Sequence, residues 1–304
     1  MSSYRSGAAD VERFDTPEPV DAHVHVWDRS LLRLDWLDDL PELATSRLPW
    51  AYDAQRGKVG AAVFVQAGAR PADALAEATW VQSLAQGWPA LAGIVADADL
   101  LSPPVELGAH LDALEELPLY RGVRHLLQDL DVQVLRSDAL LLGLDALARR
   151  DSSFDACVRW WQLEELAGLL ERSSPLTVVL DHIGKPPLDS DVKSEAWAGW
   201  EVGLRRIGAL PGAHVKLSGL SAEMSAGAKA GPTFRARAAH AIETALDVFG
   251  AERAMFGSDW PVSAVGGAGL STAEWLDFVR GQVSDVEWLE IGSGTAARVY
   301  RLER

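Results

Sequence analysis

The chain has 304 residues, of which 48% are hydrophobic, so it can bury a large core and lies at the upper end of single-domain size. Its 28 Lys and Arg against 44 Asp and Glu give a formal net charge of −16 at pH 7, which disfavours nucleic acid and anionic membrane surfaces as partners. With one cysteine, Cys157, no apolar signal segment and no apolar run of membrane-spanning length, we expect a cytoplasmic protein without disulfides. Residues 1–18 are polar and are expected to form a flexible N-terminal arm before one folded domain, residues 19–304.

The first strand candidate covers residues 20–26, where apolar and polar residues alternate with a period of two. This alternation places Asp21, His23 and His25 on one face of the strand. Two imidazoles on one face can converge on a metal ion or on a reacting carbonyl. The alternative is that both histidines are buried beneath a loop and only form hydrogen bonds there.

After this strand comes a long, acidic, proline-containing stretch, which is placed to cover the strand if the strand carries the chemistry. From there, short apolar runs alternate with Ala-, Leu- and Glu-rich segments of helical spacing. Seven further strands are predicted at residues 61–67, 91–96, 122–127, 153–158, 177–181, 214–218 and 253–257. Helices are predicted over residues 72–86, 104–117, 137–150, 162–173, 194–209, 234–249 and 271–279.

Eight consecutive strand-then-helix units predict an α/β fold, a single-domain (β/α)8 TIM barrel. An open doubly wound sheet is the alternative, but the Gly-x-Gly-x-x-Gly turn usual in such sheets is absent from the sequence. A TIM barrel carries its active site at the C-terminal ends of its strands, so polar residues there are the candidates. Beyond the histidine pair they are Gln66, Arg124, Asp155, Cys157, His182, Lys216 and Asp259.

Several candidates also have a purely structural interpretation. Lys216 can pair with a buried neighbour, and Cys157 can be a small core residue. Trp27 and Trp260 flank the polar cluster and are candidates for substrate contact, with packing in the core as the alternative. Asp259 differs from these residues because it follows a strand directly and precedes a Trp-Pro pair, where no helix can yet satisfy its carboxylate.

Three motifs, occurring in this order, together resemble the amidohydrolase superfamily. They are His23-Val24-His25 on strand one, Leu180-Asp181-His182-Ile183-Gly184-Lys185-Pro186 on strand six and Gly257-Ser258-Asp259-Trp260-Pro261 on strand eight. More narrowly, the chain resembles the amidohydrolase-related (amidohydrolase 2) branch, which contains sugar-acid lactonases and the pyrone-dicarboxylate lactonase. The resemblance extends from about residue 20 to the C-terminus, and it implies a barrel that hydrolyses a small lactone.

The same resemblance implies a single divalent ion, held by His23, His25 and Asp259 with His182 nearby. Superfamily members with two metals usually carry a histidine or a bridging lysine at the middle strands, whereas strand five of this chain offers no histidine. Nitrogen ligands with one carboxylate suit zinc. Because the branch includes enzymes that need no metal, the resemblance leaves open whether the ion is required.

Lactone hydrolysis needs a base to activate water, stabilisation of the oxyanion and an acid for the leaving alkoxide. We expect Asp259 to be the general base and His182, with the histidine pair, to polarise the carbonyl directly or through a metal. Arg124 is expected to hold a substrate hydroxyl or carboxylate. The further expected substrate contacts are Gln66, Lys216, Trp27 and Trp260.

Two other functions stay open at this point. The first is a zinc-dependent decarboxylase of an aromatic or enol acid on the same barrel, which the missing strand-five histidine disfavours. The second is a non-catalytic small-molecule sensor, which the joint presence of the three histidines and the aspartate disfavours. In each case the partner is a small molecule, and a homodimer formed through exposed helices is one arrangement of the protein.

Overall fold

Eight parallel strands form one sheet whose spatial order is the order of the sequence, in a computed structural model that describes residues 17–225 and 230–303. The strands are β1 Val20–Val24, β2 Ala61–Val65, β3 Leu91–Asp97, β4 Tyr120–Leu126, β5 Ser153–Cys157, β6 Val178–Leu180, β7 Ala213–Leu217 and β8 Ala254–Phe256. The His25 amide donates to Trp260 O at 2.8 Å and the Asp259 amide donates to His23 O at 2.9 Å, which closes the sheet between β1 and the residues after β8. The predicted (β/α)8 barrel is confirmed.

Seven of the helices in the described residues lie where the hydrophobic spacing predicts them, and the others are short. In chain order the helices are α1 Pro49–Asp53, α2 Ala74–Leu84, α3 Pro104–Glu115, α4 Asp138–Ala148, α5 Leu163–Leu170, α6 Glu195–Gly208, α7 Pro232–Phe249, α8 Val262–Val265, α9 Thr272–Arg280, α10 Asp285–Leu289 and α11 Thr295–Val299. Serine side chains accept hydrogen bonds from backbone amides at the start of α4, α6, α9 and α10, which satisfies donors that a helix leaves open at its N-terminus. None of the helices in the described part of the chain has both the length and the apolarity to cross a bilayer.

The apolar residues fall into an outer layer and an inner cluster. The outer layer lies between the strands and the helices and includes alternate strand residues such as Phe64 and Leu180. The inner cluster contains the intervening strand residues, among them Val63 and Val179, together with Tyr300. Because side chains alternate along a strand, the inner cluster is the interior of the barrel. Tyr300 follows α11 and packs in this interior, and its neighbour Arg301 donates to Asp151 O just before β5, which puts the C-terminal segment at the end of the barrel where the strands begin.

Two sequence-based expectations concern the N-terminal part of the chain. Residues 1–16 of the expected N-terminal arm lie outside the described residues, so the arm and the domain limits stay predictions. The expectation that Asp21 shares a face with the two histidines is wrong. The register of β1 against β2 shifts between Asp21 and Val24, and the Asp21 carboxylate instead accepts hydrogen bonds from the Ser258 amide at 2.7 Å and from the Tyr52 hydroxyl at 3.0 Å.

Candidate active site

Three histidines and one carboxylate converge where the strands of the barrel end. The Nε2 atoms of His23 and His25 are 3.1 Å apart. Asp259 Oδ1 lies 3.3 Å from His25 Nε2, 3.7 Å from His23 Nε2 and 3.9 Å from His182 Nε2. All four side chains are buried. The structure therefore brings together the residues of β1, β6 and β8 that the sequence singled out.

His25, His182 and Asp259 each make a second contact on the side of the group that faces away from the cluster. His25 Nδ1 lies 2.8 Å from Val65 O, and because a carbonyl only accepts, Nδ1 carries the proton and Nε2 keeps its lone pair. His182 Nδ1 lies 2.9 Å from the Ser218 hydroxyl. The Ser263 hydroxyl donates to Asp259 Oδ2 at 2.7 Å, so Oδ1 is the oxygen that faces the imidazoles.

The loops that carry these groups have unusual backbone conformations. His182, Ile183 and Asp259 have positive φ angles of 56°, 54° and 58°, values that non-glycine residues adopt only at an energetic cost and that cluster at functional sites. Gly219, with φ +72°, leaves space for the His182 ring, because a Cβ at this position would lie 2.2 Å from His182 Nδ1. The loop after β7 thus packs closely against the His182 ring, which belongs to the loop after β6.

Burial and charge set the protonation of the cluster. Burial alone would raise the pKa of Asp259. The neighbouring imidazoles, His182 foremost, lower this pKa by more than burial raises it, so the pKa falls well below its ordinary value. Burial lowers the pKa of His182 to about 4 although Asp259 opposes this change, and burial also holds the pKa of His23 well below its ordinary value. At neutral pH the site therefore presents the neutral imidazoles of His23 and His182 beside an ionised carboxylate.

These groups fit a single divalent cation. A tetrahedral zinc ion with bonds of about 2.0 to 2.1 Å separates neighbouring ligand atoms by roughly 3.3 Å, close to the separations measured between the imidazole nitrogens and Asp259 Oδ1. His23, His182 and Asp259 each offer one donor atom within 4.8 Å of the others, and His25 Nε2 lies beside them. Unprotonated nitrogens and an ionised carboxylate are the donors that zinc prefers.

A cavity of about 470 Å³ adjoins the cluster and is lined by His25, His182 and Asp259. Trp36 and Leu40, from the long stretch after β1, form part of its wall. A neighbouring cavity of about 590 Å³ lies at the ends of β2, β3 and β4. The two cavities share Gly68 and Leu126 as lining residues.

The wall of the catalytic cavity carries two ion pairs that sequence reasoning missed. Lys185 Nζ donates to Glu223 Oε1 at 2.6 Å, and Arg159 Nη2 donates to Asp129 Oδ1 at 3.0 Å. Lys185 stands inside the strand-six motif and Arg159 follows β5 directly, which are signals that could have marked them. Glu223 and Asp129 lie in loops, where the sequence shows no pattern that identifies them.

Three residues that were predicted to contact the substrate are buried and mainly contact other groups of the protein. Arg124 lines the cavity, but its guanidinium donates to Gln66 O and lies 3.3 Å from His23 Nε2 and 3.5 Å from Asp181 Oδ2. Gln66 is buried and lines the neighbouring cavity instead. Lys216 is fully buried beneath the histidines and does not line the catalytic cavity as the described residues define it.

The two tryptophans predicted as substrate contacts pack in the protein interior. Trp27 is fully buried and its indole donates to Thr45 O at 2.9 Å. Trp260 is 1% exposed, donates to Gln55 Oε1 and packs edge-on against Tyr52. Neither residue is part of the cavity wall, where Trp36 is found instead.

Comparison with known proteins places the chain among hydrolases. It matches the amidohydrolase family over residues 20–302. L-fucono-1,5-lactonase from Burkholderia multivorans is 32% identical over 292 residues, which cover 93% of this chain and 96% of that protein. L-fucono-1,5-lactonase from Burkholderia ambifaria is 34% identical over 222 residues, covering 70% of this chain and 72% of the relative.

A crystal structure of an amidohydrolase from Burkholderia multivorans with bound zinc superposes with a TM-score of 0.82 at 29% identity, covering 94% of this chain and all of that chain. The sequence match runs through every strand of the barrel, and its range includes His23, His25, His182 and Asp259. The chain therefore belongs to the amidohydrolase family.

Proposed function

We propose that the protein is a lactonase, which opens a sugar-acid lactone by attack of water on the ring carbonyl. The observation that carries this proposal is the ionised Asp259, whose Oδ2 is held by Ser263 while Oδ1 faces a cavity beside three imidazoles. A positioned carboxylate of this kind can take a proton from water as the water attacks. The lactonases among its relatives support the same reaction.

In this reaction Asp259 holds and deprotonates the attacking water. His25 keeps its proton on Nδ1, so its Nε2 serves as a ligand atom and not as a hydrogen-bond donor to the substrate. A divalent ion held by His23, His25 and Asp259, with His182 nearby, would act as a Lewis acid on the carbonyl and lower the pKa of water. Trp36 and Leu40 form part of the cavity wall beside the reacting groups.

We propose zinc as that ion, because the donor set is nitrogen-rich and a related amidohydrolase binds zinc. Dialysis of the protein against a chelator, followed by assay with and without added zinc, tests the proposal. Loss of activity and its recovery with zinc are the expected results. Full activity of metal-free protein would show that the histidines act without an ion.

The charges in the cavity favour an uncharged, hydroxylated lactone. Among the described residues that line it, every lysine and arginine already has a carboxylate partner: Arg124 with Asp181, Arg159 with Asp129, and Lys185 with Glu223. A substrate carboxylate would therefore find no unpaired cation, whereas hydroxyl groups can pair with both members of an ion pair. This charge pattern favours sugar lactones over the acids that a decarboxylase takes.

A panel of aldonolactones, including L-fucono-1,5-lactone, tests the function when turnover is followed with a pH indicator, because each hydrolysis releases an acid. We expect turnover of neutral hydroxylated lactones and little turnover of lactones that carry a carboxylate. Release of carbon dioxide from aromatic or enol acids, or tight binding of lactones without hydrolysis, would contradict the proposal. Because one cysteine cannot form an intramolecular disulfide, we also propose the cytoplasm as the place where the protein works.

A further inference from the structure

A second cavity, of about 590 Å³, adjoins the catalytic cavity at the ends of β2, β3 and β4. The two cavities share Gly68 and Leu126 as lining residues, and Gly68 has no side chain to separate the two spaces. Cavities of about 300–1,000 Å³ hold drug-sized ligands, so the catalytic cavity, with about 470 Å³, has room for a single-ring lactone by itself. The second cavity is therefore additional space beside that ring.

Gln66 supplies a buried donor in the wall of the second cavity, where it is 1% exposed. The Gly68 amide donates to Gln66 Oε1 at 2.5 Å, which fixes the orientation of the carboxamide. Gln66 Nε2 makes no hydrogen bond to any residue that the structure describes. Because a buried amide nitrogen is costly to leave without an acceptor, Nε2 is a donor for a ligand in this cavity.

Two histidines and an aspartate add donors and acceptors to the same wall. The Leu100 amide donates to His125 Nδ1 at 3.0 Å, so a neutral His125 carries its proton on Nε2 and has a donor there. His110 Nε2 lies 2.9 Å from Asp97 O, and because a carbonyl only accepts, a neutral His110 keeps a lone pair on Nδ1. The Asp97 carboxylate makes no hydrogen bond to a described residue. The wall thus offers donors together with acceptors.

The charge of the second cavity disfavours an anionic ligand. Asp97, Asp99 and Glu106 line it, whereas none of the lining residues in the described part of the chain is a lysine or an arginine. A phosphate or a carboxylate would therefore meet acidic groups without a cation to pair with. A cationic group would satisfy the acidic residues but not the donors on Gln66 and His125. Hydroxyl groups satisfy both, because each hydroxyl donates and accepts.

We propose that the second cavity binds a neutral sugar unit that is attached to the lactone ring, so that the two cavities together take a glycosylated sugar-acid lactone. The ring lies in the catalytic cavity beside Asp259, and the attached sugar lies beyond Gly68 and Leu126. This inference rests on the lactonase activity proposed above and adds to it the class of substrate.

A matched set of lactones tests the inference on the full-length protein. The parent is the monosaccharide lactone that the wild type turns over fastest, and its derivatives carry a glucosyl or a glucuronosyl group on each free ring hydroxyl in turn. For at least one glucosyl derivative we expect kcat/KM to be about 10-fold higher than for the parent, because the attached sugar gains several hydrogen bonds of ordinary net strength. The glucuronosyl derivative of the same linkage, in which a carboxylate replaces a hydroxymethyl group, should show no gain.

Three variants test where the attached sugar binds, and the readout is the ratio of kcat/KM for the glucosyl derivative to kcat/KM for the parent. Ser102→Trp places a large ring in the second cavity from the loop after β3 and should abolish the gain. Ser83→Trp, at an exposed serine of α2 that lines neither cavity, is the matched control and should keep the wild-type ratio. Asp97→Leu removes an acceptor without leaving a described protein group unpaired and should lower the ratio about 3- to 10-fold. If Ser102→Trp does not fold, Asp97→Leu decides alone.

Three results would overturn this inference and leave the lactonase function intact: no gain from any glucosyl derivative, an equal gain from the glucuronosyl group, or a gain that survives in both cavity variants. If the protein turned over none of the lactones in the set, the function proposed above would fall, and this inference would fall with it.

Discussion

At the scale of single residues, Asp259 is an ionised carboxylate whose Oδ2 is held by Ser263 and whose Oδ1 faces the imidazoles beside the cavity. Asp259→Asn keeps the shape of the side chain but cannot take a proton from water. We expect kcat to fall roughly 10²-fold or more, measured as acid release from a lactone that the wild type turns over. Asp39→Asn, an exposed change in the loop after β1, is the matched control and should leave kcat as it is. Near-normal turnover by Asp259→Asn would remove its role as the base.

The sequence predicted which residues converge at the candidate metal site better than it predicted the substrate contacts. Particular residues show why. His23, His182 and Asp259 each lie within three residues of the end of a strand, and parallel strands of a barrel bring such ends together. Trp260 also follows β8, but its position in the chain does not reveal that its ring turns away toward Tyr52. The Lys185 and Glu223 pair joins two loops, and no local pattern encodes a contact between loops.

At the scale of elements, the loop after β7 shapes the space for His182. Gly219→Ala would place a Cβ against His182 Nδ1 and also force a side chain into a left-handed conformation, so we expect kcat to fall at least about 10-fold and the unfolding free energy to fall by about 1–3 kcal/mol. Gly108→Ala in α3 has no atom within 4 Å of the new Cβ and should be neutral or slightly stabilising. Lactone assays and urea unfolding of both variants test this; equal behaviour of the two would contradict it.

Helix α2 carries a buried acid that makes stability depend on pH. Burial raises the pKa of Glu77 from 4.5 to about 8, although its Oε1 accepts from the Ala67 amide. The folded protein therefore binds a proton that the unfolded chain has lost, and the unfolding free energy should fall as pH rises from about 4.5 to about 8. Glu77→Gln should flatten this dependence in urea unfolding at both ends of the window, whereas exposed Glu106→Gln should not. A wild type with equal stability across the window would refute the expectation.

The predicted strands and helices agree with the structure wherever a single apolar run of the sequence corresponds to a single strand or helix. Each of the eight predicted strands overlaps an observed one, and seven predicted helices overlap α2 to α7 and α9. The sequence analysis missed α1, α8, α10 and α11, each of which has only four or five residues. A π-helical turn over Glu290–Gly294, where two glycines interrupt the helical pattern, joins α10 to α11. The sequence analysis also missed the register shift in β1, because such a shift depends on the partner strand.

At the scale of the whole molecule, Asp21 joins the first strand to the segment after the last. Asp21→Ala would leave the Ser258 amide, the His23 amide and the Tyr52 hydroxyl without their acceptor in a buried site. We expect the unfolding free energy to fall by roughly 2–5 kcal/mol, measured by urea unfolding. Asp21→Asn should retain most of the stability, because its oxygen can accept both amides while its NH₂ group donates to Tyr52. Equal losses in the two variants would exclude this account.

The same junction has a consequence for biosynthesis. The residues that complete the site are separated by more than two hundred positions, and they meet only through contacts between the first strand and the segment after the eighth. A ribosome making this chain therefore releases the histidine pair long before their aspartate partner exists. The growing polypeptide cannot become active in stages, and a fragment truncated before β8 should be inert however well its early strands and helices have formed.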